Sequence, residues 1–211
     1  MDYLEATTYL DYESPEIQEL IADFDSESLT DLEKAKGVYL KIRDGWRYNP
    51  YLIRVDQESY IASRIAKRTE GHCVDKAILL IAALRALQIP ARIRLAKVTN
   101  HIAVDRLTER FGTNVLTPHG MVDVKLNGKW VKATPAFNKE LCEMCQVAPL
   151  EFDGETDSMF QEFNGEGQKF MEYLEDYGHF EDIPVNFMLN NLQENYPGVF
   201  NLENGKVAYR F

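Results

Sequence analysis

The sequence predicts an α+β fold in which one central, buried helix packs on an antiparallel sheet. Three observations lead there. Helical periodicity fills the first part of the chain and strand alternation follows it, the order expected of helices segregated from an antiparallel sheet. Ile78–Leu87 is apolar nearly all round and stops at Pro90, as a helix covered on every side must be. Asn127-Gly128 joins two alternating runs, a strong signal for a two-residue hairpin.

The elements follow in order. Ser14-Pro15 starts a first helix with Ile17, Leu20, Ile21 and Phe24 on one face. Thr30-Asp31-Leu32-Glu33 is a capping box that opens a second helix ending near Gly45. Asp56 to Lys67 reads as a third, with Ile61 and Ile65 inward. The apolar helix comes next, then a strand from Ala91 to Val98 and the 119–134 hairpin. The last third is richer in turn residues and ends with a helix near Val185–Asn195. With no repeat, low-complexity tract or linker, residues 1–211 read as a single domain.

Cys73 sits just before the apolar run, in Gly71-His72-Cys73. On the first turn of a helix, unpaired N–H groups and the helix dipole favour thiolate, the reactive form. Gly71 lets the chain turn sharply and leaves room for a substrate backbone. A lone cysteine at the edge of an apolar helix is more often a small buried hydrophobe. What distinguishes this one is His119, on a strand-like stretch: cysteine at a helix start and histidine on a strand form the layout of a papain-like acyl-transfer site.

The hairpin register can be derived. A two-residue loop sets Leu126 opposite Lys129, Val124 opposite Val131 and Met121 opposite Thr134. Thr134 is then a diagonal neighbour of His119, about 7–8 Å away, and could orient its ring. Asn138 shares the alternation parity and is the alternative third member, although Pro135 interrupts the strand before it. Asp123 falls opposite Lys132, read as a surface ion pair.

These residues resemble the pattern of the transglutaminase-like superfamily, in particular its bacterial stand-alone members. The resemblance rests on Gly71-His72-Cys73, Arg85-Ala86-Leu87-Gln88-Ile89-Pro90-Ala91-Arg92, His119 with Asp123, Gly128, Trp130 and Thr134-Pro135, and on the upstream segment Ala35–Tyr48. It covers a core of about residues 30–140 and leaves 141–211 as a C-terminal extension. It implies a papain-like core, Cys73 as nucleophile, His119 as base and Thr134 as third member. The family's third residue is an acid. A threonine can fix a histidine tautomer but cannot stabilise an imidazolium by charge; losing the acid of a serine triad costs about 10⁴ in rate. The resemblance also implies an upstream aromatic donor at the oxyanion hole, for which Trp46 and Tyr48 are the candidates.

The expected function is cysteine-dependent acyl transfer on a carboxamide or peptide bond through a thioester, resolved by water or by an amine. The expected substrates are peptides, proteins or small amides. The alternative is a peptide- or protein-binding module that kept the fold and lost the chemistry. No organic cofactor is expected, because thiol and imidazole supply nucleophile and proton transfer. No metal is expected either. Cys142-x-x-Cys145 lacks a second pair, and the acids Asp153, Glu155 and Asp157 lack the spacing of a calcium loop. His101 is a rival base or cleft-lining residue. His72 adjoins Cys73 and is a further oxyanion or cleft candidate, although adjacent residues at a helix start are expected to point apart, and His179 reads as lying in a loop.

A net charge of −11 argues against nucleic acid and anionic membranes as partners. No run of about 18 apolar residues is present. Three cysteines do not suit a disulfide framework, and Met1–Glu5 has no signal-peptide character, so a cytoplasmic location is expected.

Overall fold

Pro15 at the first helical position and Glu16 in the first turn start α1, Pro15–Ile21, which buries Ile17, Leu20 and Ile21. In this computed structural model the described residues are 3–160, 164, 166–198 and, as backbone, 200–203 and 206–209. The capping box forms at α2, Asp31–Gly45: Thr30 N–H donates to Glu33 at 2.8 Å and Glu33 N–H donates to Thr30 Oγ1 at 3.3 Å. Ala35, Val38, Tyr39 and Ile42 of this helix face the core. Two short strands follow the helices, β1 (Arg47–Tyr48) and β2 (Glu70–Gly71), and pair in parallel with Tyr48 opposite Gly71.

The third helix differs from expectation. A 3-10 turn over Gln57–Tyr60 and α3, Ala62–Ala66, are separated by Ile61, which is extended (φ −78°, ψ 128°). Two local bonds account for the break. Asp56 accepts from Ser59 N–H at 2.9 Å, and Ala62 N–H donates to the distant Tyr9 carbonyl at 2.9 Å. Competing side-chain and tertiary acceptors thus outweigh helix continuation.

Helix α4, Cys73–Ala86, is buried at every residue from Cys73 to Arg85. Helices α1, α2 and α3 cover one side of it and the sheet covers the other, which explains an apolar surface without a polar stripe. Arg85 is buried near its end. Its guanidinium donates to the carbonyls of Ala91 (2.9 Å), Glu5 (2.9 Å) and Glu181 (2.6 Å), tying three segments to the helix.

The main sheet is antiparallel with strand order β5 (Lys129–Ala133), β4 (Val115–Leu126), β3 (Ala91–Asn100) and β6 (Met171–Phe180). The hairpin pairs Leu126 with Lys129, Val124 with Val131 and Asp123 with Lys132, and both turn residues, Asn127 and Gly128, have positive φ (49° and 79°). This is the derived register. Asp123 is nevertheless not a surface residue. It is buried and pairs with Arg92 (3.1 Å) and Arg94 (3.4 Å), because β3 covers that flank, while Lys132 pairs with Asp157. His179 is also not in a loop: it lies in β6 opposite Arg94.

The region after the hairpin contributes structure to the core. Besides β6 it supplies α6, Lys139–Met144, and α7, Val185–Asn195, which packs on β4. α5, Val104–Phe111, lies between β3 and β4 in the chain. The Tyr196 hydroxyl, just past α7, accepts from Thr117 N–H at 2.7 Å and donates to the Val115 carbonyl at 2.8 Å. Thr117 Oγ1 bonds to Asn191 at 2.8 Å. The extension therefore braces the segment of β4 that leads into His119. A C-terminal hairpin, β7 (Phe200–Glu203) with β8 (Lys206–Tyr209), completes the described chain. No helix among the described residues is long and apolar enough to cross a membrane.

Candidate active site

Cys73 is the first residue of α4, and its neighbours in space come from three elements. The N–H of Gly120 on β4, adjacent to His119, points at Cys73 Sγ from 3.4 Å. Close approach is possible there because Gly120 lacks a Cβ: one built on it would lie 2.8 Å from Val74 Cα. The His72 ring lies 3.5 Å from the sulfur through Nδ1. His72 is the N-cap, in extended conformation (φ −78°, ψ 168°), so helical side-chain spacing does not apply to it and its ring folds back beside Cys73 rather than away. Its Nδ1 accepts from Val74 N–H at 3.4 Å, and the His72 backbone N–H donates to Asp75 at 3.0 Å. Gly71 has no left-handed φ; a side chain there would crowd Asp75 and Lys76 at 3.3 Å, so it keeps room for the first turn of α4.

Tyr48 reaches the same place from β1, in register with Gly71 and stacked on the His72 ring at 6.5 Å. Among the described residues its buried hydroxyl has no hydrogen-bond partner, nor has Trp46 Nε1. Burial raises the Tyr48 hydroxyl well above its ordinary value, and charge on Cys73 raises it further. Asn138 is committed locally. Its Oδ1 accepts from Tyr48 N–H at 3.0 Å and its Nδ2 donates to Glu140 at 2.6 Å, so it anchors the Tyr48 segment.

His119 is wholly buried, and among the described residues neither ring nitrogen has a hydrogen-bond partner. Its ring packs against Phe160 (5.8 Å) and Tyr173 (6.2 Å), and Phe160 in turn packs against Phe137 (4.6 Å) and Phe170 (5.5 Å). Thr134 is buried nearby. Its hydroxyl approaches that of Tyr173 without meeting hydrogen-bond geometry and makes no bond to His119. The remaining histidine named from sequence, His101, sits beyond the end of β3 and faces Glu172 at 3.3 Å. Tyr173, Phe160 and Phe170 were not legible as site residues, because they belong to the extension and only the fold brings them to β4.

Electrostatics follow burial. Desolvation pushes the Cys73 thiol up to about 12, against the N–H groups of Gly120 and Val74, which favour thiolate. The helix start is where the sequence placed it, but in this arrangement burial outweighs it and the thiol is protonated. Burial lowers His119 to about 3, with His72 adding like charge, so its imidazole is neutral. A stability consequence follows. Unfolded, His119 takes up a proton below about 6.5, whereas folded it stays neutral down to about 3. The unfolded state binds more protons in that window, so stability is complete above it and declines as pH falls through it, by about 1.4 kcal/mol per pH unit. Denaturant unfolding at pH 7 and 5 should show wild type losing roughly 2 kcal/mol more than His119→Gln. Equal losses would mean that the imidazole is solvated in the native state.

One turn further along α4 lies Lys76, also wholly buried. Its ammonium donates to the carbonyls of Arg43 (2.7 Å), Trp46 (2.8 Å) and Ala136 (2.8 Å). Burial lowers it to about 7, while three acceptors matched to three N–H groups favour the charged form. Lys76 thereby fixes the C-terminal end of α2 and the segment after β5, which carry Trp46, Tyr48, Phe137 and Asn138.

Cys142 and Cys145, the other thiols, are free, the first on α6 and the second at its C-cap. The acidic loop closes on itself: Asp153 accepts from the N–H groups of Glu155 and Thr156, both at 2.8 Å.

Three comparisons bear on this arrangement. No curated protein matches the chain. The crystal structure of a protein from Cytophaga hutchinsonii, named as a candidate cysteine protease, aligns with 82% of this chain at 15% identity and a TM-score of 0.49. The chain spans 62% of that protein's length. The family profile of the transglutaminase-like superfamily matches residues 18–135, from the middle of α1 to the residue after Thr134. That match takes in more than half of the chain and both Cys73 and His119, and the chain belongs to the transglutaminase-like superfamily.

Proposed function

We propose that this protein is a cysteine-dependent acyltransferase or hydrolase acting on a carboxamide or peptide carbonyl, with Cys73 as nucleophile and His119 as base. The observation that carries the reading is the junction of α4 and β4. The thiol at the helix start rests on the N–H of the residue next to His119, with Tyr48 stacked on the neighbouring His72 ring. Attack of Cys73 Sγ on the carbonyl carbon forms the C–S bond, and the thiol proton passes to His119. His119 returns it to the leaving amine as the C–N bond breaks, leaving a thioester that water or a second amine resolves. The Tyr48 hydroxyl, without a partner among the described residues, is a candidate donor for the developing oxyanion and ranks ahead of Trp46 because its ring stacks on His72, which lies 3.5 Å from the sulfur. Thr134 makes no bond to the imidazole in this arrangement, so a positioning role for it requires its hydroxyl to turn from Tyr173 to His119 when the site opens.

The reaction needs a site more open than this one, since both reacting side chains are wholly buried. Phe160 lies on the His119 ring, and its displacement is the step that would admit substrate and relieve the desolvation of the thiol. The same burial favours the second reading, a peptide- or protein-binding module that has lost the chemistry.

Fluorescent casein separates these readings. Incubated with and without dansylcadaverine, it reports hydrolysis as released peptide and transamidation as incorporated dansyl. Either product should appear, survive EDTA and disappear with Cys73→Ala. Casein retained on immobilised protein with neither product formed would support the binding module instead.

A further inference from the structure

We propose that the cleft beside Cys73 recognises an acidic group of the substrate, a carboxylate held by Arg54; this rests on the reading of Cys73 as the reacting residue. The cleft lies between the two arms of the site. His72, whose ring is 3.5 Å from the sulfur, lines one wall, and Pro118, which precedes His119, lines another. Arg54, Tyr60 and Leu192 close it.

Arg54 is the cleft residue whose bonding is incomplete. Its carbonyl accepts from the Tyr60 hydroxyl at 2.5 Å, which fixes the backbone. Among the described residues its guanidinium makes no hydrogen bond or ion pair, and its Nε is buried without a partner. Three acids lie within electrostatic reach, Asp56, Glu70 and Asp75. Each is committed elsewhere. Asp56 accepts from the N–H (2.9 Å) and hydroxyl (2.6 Å) of Ser59, and Glu70 from Arg47 at 2.6 Å. Asp75 accepts from His72 N–H at 3.0 Å and from Arg68 at 3.4 Å.

A buried donor without an acceptor is costly, and a guanidinium presents a planar fork that matches a carboxylate. The cleft holds about 20 Å³ and Asp75 also lines it, so a carboxylate must widen it on entry; once in, it would satisfy the Arg54 fork and lie beside His72, next to the thiol. The whole chain carries a charge of −11, so long-range steering opposes an anionic substrate. Selectivity for an acidic group must therefore come from contact with Arg54. The ligand class is an acidic peptide side chain or a terminal carboxylate adjacent to the reacting carbonyl.

The test compares two near-isosteric electrophiles, N-chloroacetyl-aspartate amide and N-chloroacetyl-asparagine amide, by intact-protein mass spectrometry with the labelled thiol mapped. Cys73 should react at least tenfold faster with the aspartate reagent, and Arg54→Gln should abolish or invert that ratio while Arg54→Lys keeps part of it. A second measurement needs no reaction: titration of Cys73→Ala protein with N-acetylaspartate amide and N-acetylasparagine amide. Binding of the acidic compound alone, lost in Arg54→Gln, supports the site even if Cys73 alkylates no faster than Cys142 and Cys145, an outcome that would count against the nucleophile instead. Equal reaction or equal binding of the two compounds, or a preference that Arg54→Gln leaves intact, would overturn the inference.

Discussion

Replacing Lys76 with methionine is expected to destabilise the protein by about 3–5 kcal/mol, the range for removing one partner from a buried, charge-assisted cluster. The apolar stem is kept by this change, so the loss isolates the ammonium. Three carbonyls that now accept at 2.7–2.8 Å would be left buried without donors. Two of them, Arg43 and Trp46, lie at the C-terminal end of α2, where helix carbonyls have no intrahelical donor. Lys76 acts there as a cap supplied by a different helix. The third, Ala136, belongs to the segment that places Phe137 against Tyr48 at 4.7 Å. A melting temperature lower by about 10 °C should accompany the loss, at about 2–4 °C per kcal/mol for a domain of this size. Thermal and denaturant unfolding measure both. A cost below about 1 kcal/mol would mean that water satisfies the carbonyls and that the lysine is no staple.

The Gly120→Ala change should damage the site more than the fold. Its Cβ would stand 2.8 Å from Val74 Cα and 3.1 Å from Val74 N, backbone atoms of the first turn of α4 that cannot rotate away. Overpacking of this kind costs about 1–3 kcal/mol. The strand must retreat from the helix at the point where the Gly120 N–H meets Cys73 Sγ, and His119, one residue away, retreats with it. Displacements of about 1 Å at a reacting pair can cost about 10² in rate. The expected result is a folded variant with casein turnover lower by about 10². Gly45→Ala is the control, because nothing lies within 4 Å of a Cβ at that position. Turnover in Gly120→Ala within a factor of about two of wild type would show that the α4–β4 approach is not what positions the reaction.

The parts of the fold legible in the sequence were those fixed by local chemistry. Asn127-Gly128 adopts the left-handed pair that a tight hairpin needs, and the register of β4 and β5 follows from it. The Thr30 capping box starts α2 as read, and the helix over Val185–Asn195 has the expected limits. Helix α4 carries no polar stripe and is buried on all sides from Cys73 to Arg85. Elements decided by partners distant in sequence were missed. Strand β6 carries Glu172, Glu175 and Asp176, and Gly178 with φ 82°, so it reads as a polar turn region; pairing with β3 makes it an edge strand. Ile61 breaks the third helix because the Tyr9 carbonyl claims the Ala62 N–H.

The candidate site divides in the same way. Cys73 at the helix start and His119 on the strand could be read from pattern. The environment that sets their chemistry could not. Phe160 and Tyr173 arrive from the extension and desolvate His119. The N-cap geometry of His72, which folds its ring beside the sulfur, depends on Val74 N–H and Asp75 as partners. Diagonal placement of Thr134 follows from the register, but its hydroxyl approaches Tyr173 rather than the imidazole, a contact that β6 alone creates.

The most direct measurement of the central claim, that Cys73 forms an acyl-enzyme with His119 as base, is intact-protein mass spectrometry after brief reaction with p-nitrophenyl acetate at pH 7. One acetyl group should appear on Cys73 ahead of Cys142 and Cys145, be absent in Cys73→Ala, and form about 10²-fold more slowly in His119→Ala. Acetylation spread over the three thiols, or a Cys73 adduct formed at the same rate without the imidazole, would contradict it.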